Sequence, residues 1–221
     1  MMNFFKTIFG LKSRETNPPP VQSVEAPAVQ ADQEEEIFEP PAKEFLEAPA
    51  ADYKALSGLA AVISRSDPVV GRQVEAGLAD CVGFFDQNPD LFQLWDFDRA
   101  PESPQWREMV YHLTLVGSLI QGHYAAEFSF LSSGHEVVRD LNQIIDKLGL
   151  PVELAAMDLN PENPGEEVIT HISRQMPYGW SLGNICLDSD GYVLIIVRAL
   201  DEARLKDLAG QAGLEISFTF D

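Results

Sequence analysis

Five consecutive branched apolar residues, Val193-Leu194-Ile195-Ile196-Val197, stand near the end of the chain with no polar residue among them. A strand with one wet face alternates apolar and polar side chains. This one does not, so it predicts a central strand covered on both faces. It also demands a sheet with helices packed on it, which is a strong restriction on the rest of the chain.

Its neighbours supply the sheet. Ser181–Leu187 and Tyr192–Arg198 read as two strands joined by Asp188-Ser189-Asp190-Gly191, a hairpin turn signal. Tyr124–Leu131, Pro151–Met157 and Leu214–Phe220 read as three more. The last places Ile216, Phe218 and Phe220 on one face.

Helices are marked by their ends. Asp52 and Asp67-Pro68 are N-cap signals, the second with proline at the first helical position. The helix after Pro68 repeats Val70, Val74, Leu78, Cys81, Val82 and Phe85 and stops at Asn88-Pro89. A short helix follows over Asp90–Trp95. Ser103-Pro104 opens a helix through Gln121. Ser133…Glu136 and Asn163…Glu166 read as capping boxes, the second opening a helix through Met176. Asp201 opens the last helix, closed by Gly213. The predicted fold class is α+β: N-terminal helices followed by a mixed five-stranded sheet with packed helices. The recurring Leu148-Gly149-Leu150 and Ala212-Gly213-Leu214 are consistent with a weak duplication or with two crossover connections.

Residues 51–221 make one domain by length. Residues 1–50 differ. They hold 7 of the chain's 15 prolines and the run Glu34-Glu35-Glu36. From 13 to 50 no helical or strand period persists, so this stretch predicts a disordered, acidic, proline-rich linker. Residues 1–12 predict a short amphipathic segment. Phe4, Phe5, Ile8, Phe9 and Leu11 share one arc, and Lys6, Thr7 and Gly10 take the other side. Together with the linker, this reads as a weak membrane-surface or partner-binding anchor. The competing reading is a frayed terminus or a helix against its own domain. The segment is too short for a secretory signal.

Charge narrows the partners. The chain carries 35 acids and 15 bases, a formal net charge of −20. Residues 51–221 hold 26 of those acids and 11 of those bases, net −15, so the acidity belongs to the domain as well as the tail. Nucleic acid, which requires a basic face, is not an expected partner; a basic protein is. No apolar run reaches the ~20 residues that span a bilayer. Two cysteines, Cys81 and Cys186, among apolar neighbours suit core packing in a reducing, cytoplasmic setting, peripheral to the membrane if the anchor engages it.

Candidate chemistry is sparse. Gly179-Trp180-Ser181-Leu182-Gly183 matches the G-x-S-x-G elbow pattern. That chemistry needs a strand before the serine, a helix after it and a later histidine, and all three are missing. Its glycines read as turn residues. Asp86–Asp90 lacks the glycine and terminal acid of a calcium loop, and Asp188–Gly191 leads straight into a strand at Tyr192, so both read as turns. His112, His123, His135 and His171 have no metal-ligand spacing, and with the two distant cysteines they make no zinc signature. No cofactor motif is present. The best location for an enzyme site would be Glu127, on a strand flanked by His123 and His135. Phe92, Trp95, Asp96, Phe97 and Asp98 form an aromatic–acidic segment. It reads either as a partner surface, rings within a charged rim, or as rings plugging the end of the core.

The stretch GWSLGNICLDSDGYVLIIV, Gly179–Val197 with the helix before it, resembles the C-terminal part of an uncharacterised bacterial domain family of unknown function. The resemblance covers roughly 52–221 and places no functional residue. By analogy with other small acidic bacterial domains it implies an immunity- or inhibitor-like protein. The leading expectation is therefore a non-enzymatic protein-binding module for a basic partner. A membrane-surface-tethered adaptor and an enzyme at Glu127 are the alternatives.

Overall fold

A computed structural model describes residues 51–95, 97, 103–129, 132–155, 164–187 and 191–218. The amphipathic segment and linker expected over 1–50 lie outside the described residues, as do Asp96 and Asp98.

Among the described residues, seven α-helices and four strands make an α+β architecture. In chain order they are α1 (Ala55–Ile63), α2 (Pro68–Ala79), α3 (Cys81–Gln87), α4 (Pro104–Gln121), β1 (Ala125–Ser129), α5 (Gly134–Leu148), α6 (Pro164–Ser173), β2 (Trp180–Cys186), β3 (Gly191–Arg198), α7 (Glu202–Gln211) and β4 (Glu215–Ser217). The sheet order is β1-β3-β2-β4, with every pair antiparallel. β3 is the interior strand that its composition requires: Val193 through Val197 are all buried. It pairs Glu127 with Val193 on one side and Gly183 with Ile195 on the other. Helices α1 and α5 pack against β3, α4 and α5 against β1, and α6 against β2.

The sheet has four antiparallel strands, not the mixed five expected. The missing one is the strand predicted over Pro151–Met157. The Asn142 amide of α5 binds both backbone groups of Leu154, accepting from its N–H at 2.8 Å and donating to its carbonyl at 3.2 Å. A side chain thus takes the bonds that a neighbouring strand would need, and residues 151–155 run as irregular chain. Met157 lies outside the described residues. The helix predicted to run from Pro68 to Asn88-Pro89 is broken at Asp80, whose φ of −147° and ψ of 84° are non-helical. Asp80 ends α2 and caps α3, its carboxylate accepting the Gly83 N–H. Its competition for nearby backbone amides outweighs the continuous apolar stripe.

Several helix ends follow the sequence. Asp67 caps α2 by accepting the Val69 N–H, and Ser133 and Glu136 exchange hydrogen bonds in a capping box on α5. Asp52 stands too early to be the N-cap of α1, which is Lys54, and Asp201 makes no side-chain cap on α7. Asn163, the expected cap of α6, lies outside the described residues.

Helix α4 is the hub of the helical layer. Trp106, Val110, Leu113, Leu115, Val116 and Leu119 are all buried. Gly117 sits where another backbone passes close, since a Cβ there would stand 2.9 Å from the Leu91 carbonyl oxygen. Gly71, inside α2, has nothing within 4 Å of the same position. The two glycines therefore differ in sign. Gly71→Ala should stabilise by about 0.5–1 kcal/mol through helix propensity. Gly117→Ala should destabilise by about 1–3 kcal/mol because the clash exceeds the same propensity gain. Urea unfolding midpoints of the two variants test this.

Candidate functional site

A cleft opens at the end of the sheet where β2 begins and β3 finishes, with a volume of about 330 Å³. Its charged lining residues are Arg65, Arg198, Arg204 and Asp201. Trp180 forms one wall, and Ile196, Val197 and the last turns of α1 supply apolar surface. In a domain of net −15, three guanidinium groups and one carboxylate give this hollow a local charge of the opposite sign.

Each element delivers its residue for a local reason. Trp180 and Arg198 are register partners across β2 and β3. Arg198 is the first exposed residue after five buried ones, because the strand leaves its covering layer there. Gly179, with φ +84°, turns the chain into β2, and its carbonyl accepts the Ala199 N–H at 2.9 Å. Arg204 lies on the exposed side of α7. Arg65 follows α1 in the left-handed region, φ 54°, and Ser66 after it has φ 62°. Ser66 N–H bonds the Ala61 carbonyl at 2.8 Å and Arg65 N–H the Val62 carbonyl at 3.4 Å. This is the glycine-favouring end of a helix, and an arginine occupies it at a backbone cost of about 1–2 kcal/mol.

That arginine is held in place. Its guanidinium lies 4.7 Å from the Trp180 ring centroid, and Nη1 donates to the Leu148 carbonyl at 3.1 Å. The side chains of Arg198 and Arg204 form no ion pair or hydrogen bond among the described residues. The arrangement can therefore accept the oxygens of a carboxylate or phosphate with donors already in place.

The G-x-S-x-G pattern sits on the rim of this region. The Ser181 hydroxyl donates to the Glu202 carboxylate, with no histidine beside it. Gly183 serves close packing: a Cβ there would meet the Phe218 ring at 2.6 Å. Trp180 is the platform for Arg65. Sequence reasoning read the two glycines and the tryptophan as structural, and it missed the arginines because they are spread over 140 positions.

The Glu127 region differs from its expectation. Glu127 is half-buried on β1, and burial pushes its carboxyl up to about 7. The Trp95 indole N–H, which makes no hydrogen bond of ordinary geometry, is the one group opposing the shift. His123 and His135 are both exposed, and neither is among the groups that shift it. The other histidine with a defined role is His112, whose Nε2 donates to the Ala212 carbonyl at 2.9 Å and whose burial depresses its proton affinity.

The expected partner surface is also placed differently. Phe92, Trp95 and Phe97 are buried, at 1%, 6% and 7% exposure, so these rings present no anchor to a partner. They close the end of the helical core. Phe85 packs 4.7 Å from Phe92, 5.9 Å from Phe97 and 5.5 Å from Trp106 between centroids. Phe4, Phe5, Lys6, Ile8 and Phe9 lie outside the described residues. Among the described residues no helix is long and apolar enough to cross a membrane, and no three His, Cys, Asp or Glu side chains gather to hold a metal.

A family model described as a domain of unknown function, DUF6630, matches residues 55–219. The chain belongs to the DUF6630 family. The match spans every described helix and strand, and with them all the residues that line the arginine cleft. No curated protein and no solved structure gives a match.

One consequence of the DUF6630 geometry is measurable by pH. The native state holds the Glu127 proton up to about 7, whereas the unfolded chain releases it near ~4.3. The group's contribution is thus full at low pH and lost as pH rises through that window. Glu127→Gln should gain stability relative to the parent between pH 5 and 8 and hold that gain above it. Denaturation midpoints across the range test this; parallel curves would refute it.

Proposed function

We propose that this DUF6630 domain is a non-covalent binding module whose binding site is the arginine–tryptophan cleft and whose ligand presents an anionic group. The observation that carries the reading is the gathering of Arg65, Arg198 and Arg204 around Trp180 in a domain that is otherwise strongly acidic. Two further features support it. Arg65 keeps a left-handed backbone that glycine would occupy at lower cost, and such strain is commonest where a side chain is needed. Three side chains that could begin a reaction are otherwise engaged: Ser181 with Glu202, His112 with a carbonyl, and Cys81 in the core.

The partner expected from overall charge, a basic protein, is a second reading that the acidity outside the cleft favours. An excess of exposed carboxylates accelerates encounter with a basic body and keeps the domain monodisperse. The two readings combine in a partner that is basic overall and contributes an anionic group to the cleft.

Inorganic pyrophosphate, titrated into the full chain and followed by calorimetry, is the direct probe. Saturable one-to-one binding should weaken at least tenfold, about 1.4 kcal/mol, in Arg198→Gln/Arg204→Gln. Unsaturable binding, or equal affinity in the double variant, would remove the cleft from the account.

A further inference from the structure

Large apolar side chains are almost absent from the described surface. Three are exposed: Val69, Tyr178 and Leu200. Tyr178 is fully exposed and Leu200 is 77% exposed. They are 22 positions apart in sequence, yet the Ala199 N–H to Gly179 carbonyl bond joins their immediate neighbours. Both flank the register pair Trp180 and Arg198, so the same end of the hairpin that opens the cleft also carries the exposed apolar residues.

Resting on the reading of the cleft as an anion site, we infer that its ligand is a short acidic segment of a partner protein with an apolar residue beside the acids. Tyrosine, tryptophan and arginine together are the composition of interface hot spots, where an aromatic anchor is surrounded by directional donors. Arg198 and Arg204 supply donors for carboxylates. Arg65, stacked on Trp180, stiffens the wall. Tyr178 and Leu200 supply the contact that a free inorganic anion could not use. Length is limited by charge: the domain as a whole is net −15, so a long polyanion meets a net repulsion beyond the three arginines. A few acids, followed by apolar or basic residues, satisfy both the cleft and its surroundings.

The test compares two labelled octapeptides on the full chain by fluorescence anisotropy. Both carry six glutamates; one has a central leucine–phenylalanine pair and the other a serine–glycine pair. The first should bind at least tenfold more tightly. In Tyr178→Ser/Leu200→Ser, a change of two exposed residues, that preference should vanish while pyrophosphate affinity stays unchanged. If pyrophosphate binds but the peptides bind equally, or the preference survives in the variant, the acidic-segment inference fails and the anion site stands. If neither pyrophosphate nor either peptide binds, the anion site has failed and the inference falls with it.

Discussion

The structure depends on one strand being dry on both sides. Val193–Val197 loses the larger part of its favourable transfer energy unless both faces are covered, at about 25 cal/mol for each Å² of apolar area. That requirement puts β3 in the sheet interior, puts β1 and β2 on its flanks, and brings α1 and α5 onto it. It also decides where polar chemistry can collect. The cover ends at Arg198, where burial gives way to exposure within one residue. Helix α1 ends beside it, α7 starts beside it, and β2 enters beside it. Three arginines meet there because three elements run out of apolar neighbours in the same place.

The elements that sequence patterns identified correctly are those in which one interaction dominates locally. The β2–β3 pairing follows from a turn signal between two apolar runs. The α5 capping box follows from Ser133 and Glu136 at the right spacing, and Asp67-Pro68 opens α2 as written. Patterns misled where a single polar side chain competes with a periodic run. Asp80 interrupts an apolar stripe that reads as continuous, and Asn142 takes the hydrogen bonds that a fifth strand would need. Neither competition has a periodicity, so neither leaves a signal in hydrophobic spacing.

The aromatic residues show the same limit at the level of the site. Phe92, Trp95 and Phe97 stand among acids in the sequence, which resembles an interface, but their density is what fills the end of a helical core. Tyr178 lies beside a proline and a glycine and reads as part of a turn. It is nevertheless fully exposed, since Gly179 directs the next residue, Trp180, into the wall and leaves Tyr178 outside. Aromatic number marks packing; isolation on a rigid turn marks availability. The second depends on backbone geometry, here a positive φ and one cross-chain hydrogen bond, and no composition statistic carries it.

On the reading proposed for the cleft, the domain's charge also bears on which ligands reach it. An arginine pocket on a neutral surface would accept many anions, including long nucleic acids. Embedded in a strongly negative exterior, the same guanidinium groups attract only what fits within their short reach, because the surrounding carboxylates repel charge that extends past the rim. At physiological ionic strength the screening length is about 8 Å, close to the dimension of the hollow itself. Attraction inside and repulsion outside therefore act on different parts of a ligand. The combination discriminates by length as well as by sign.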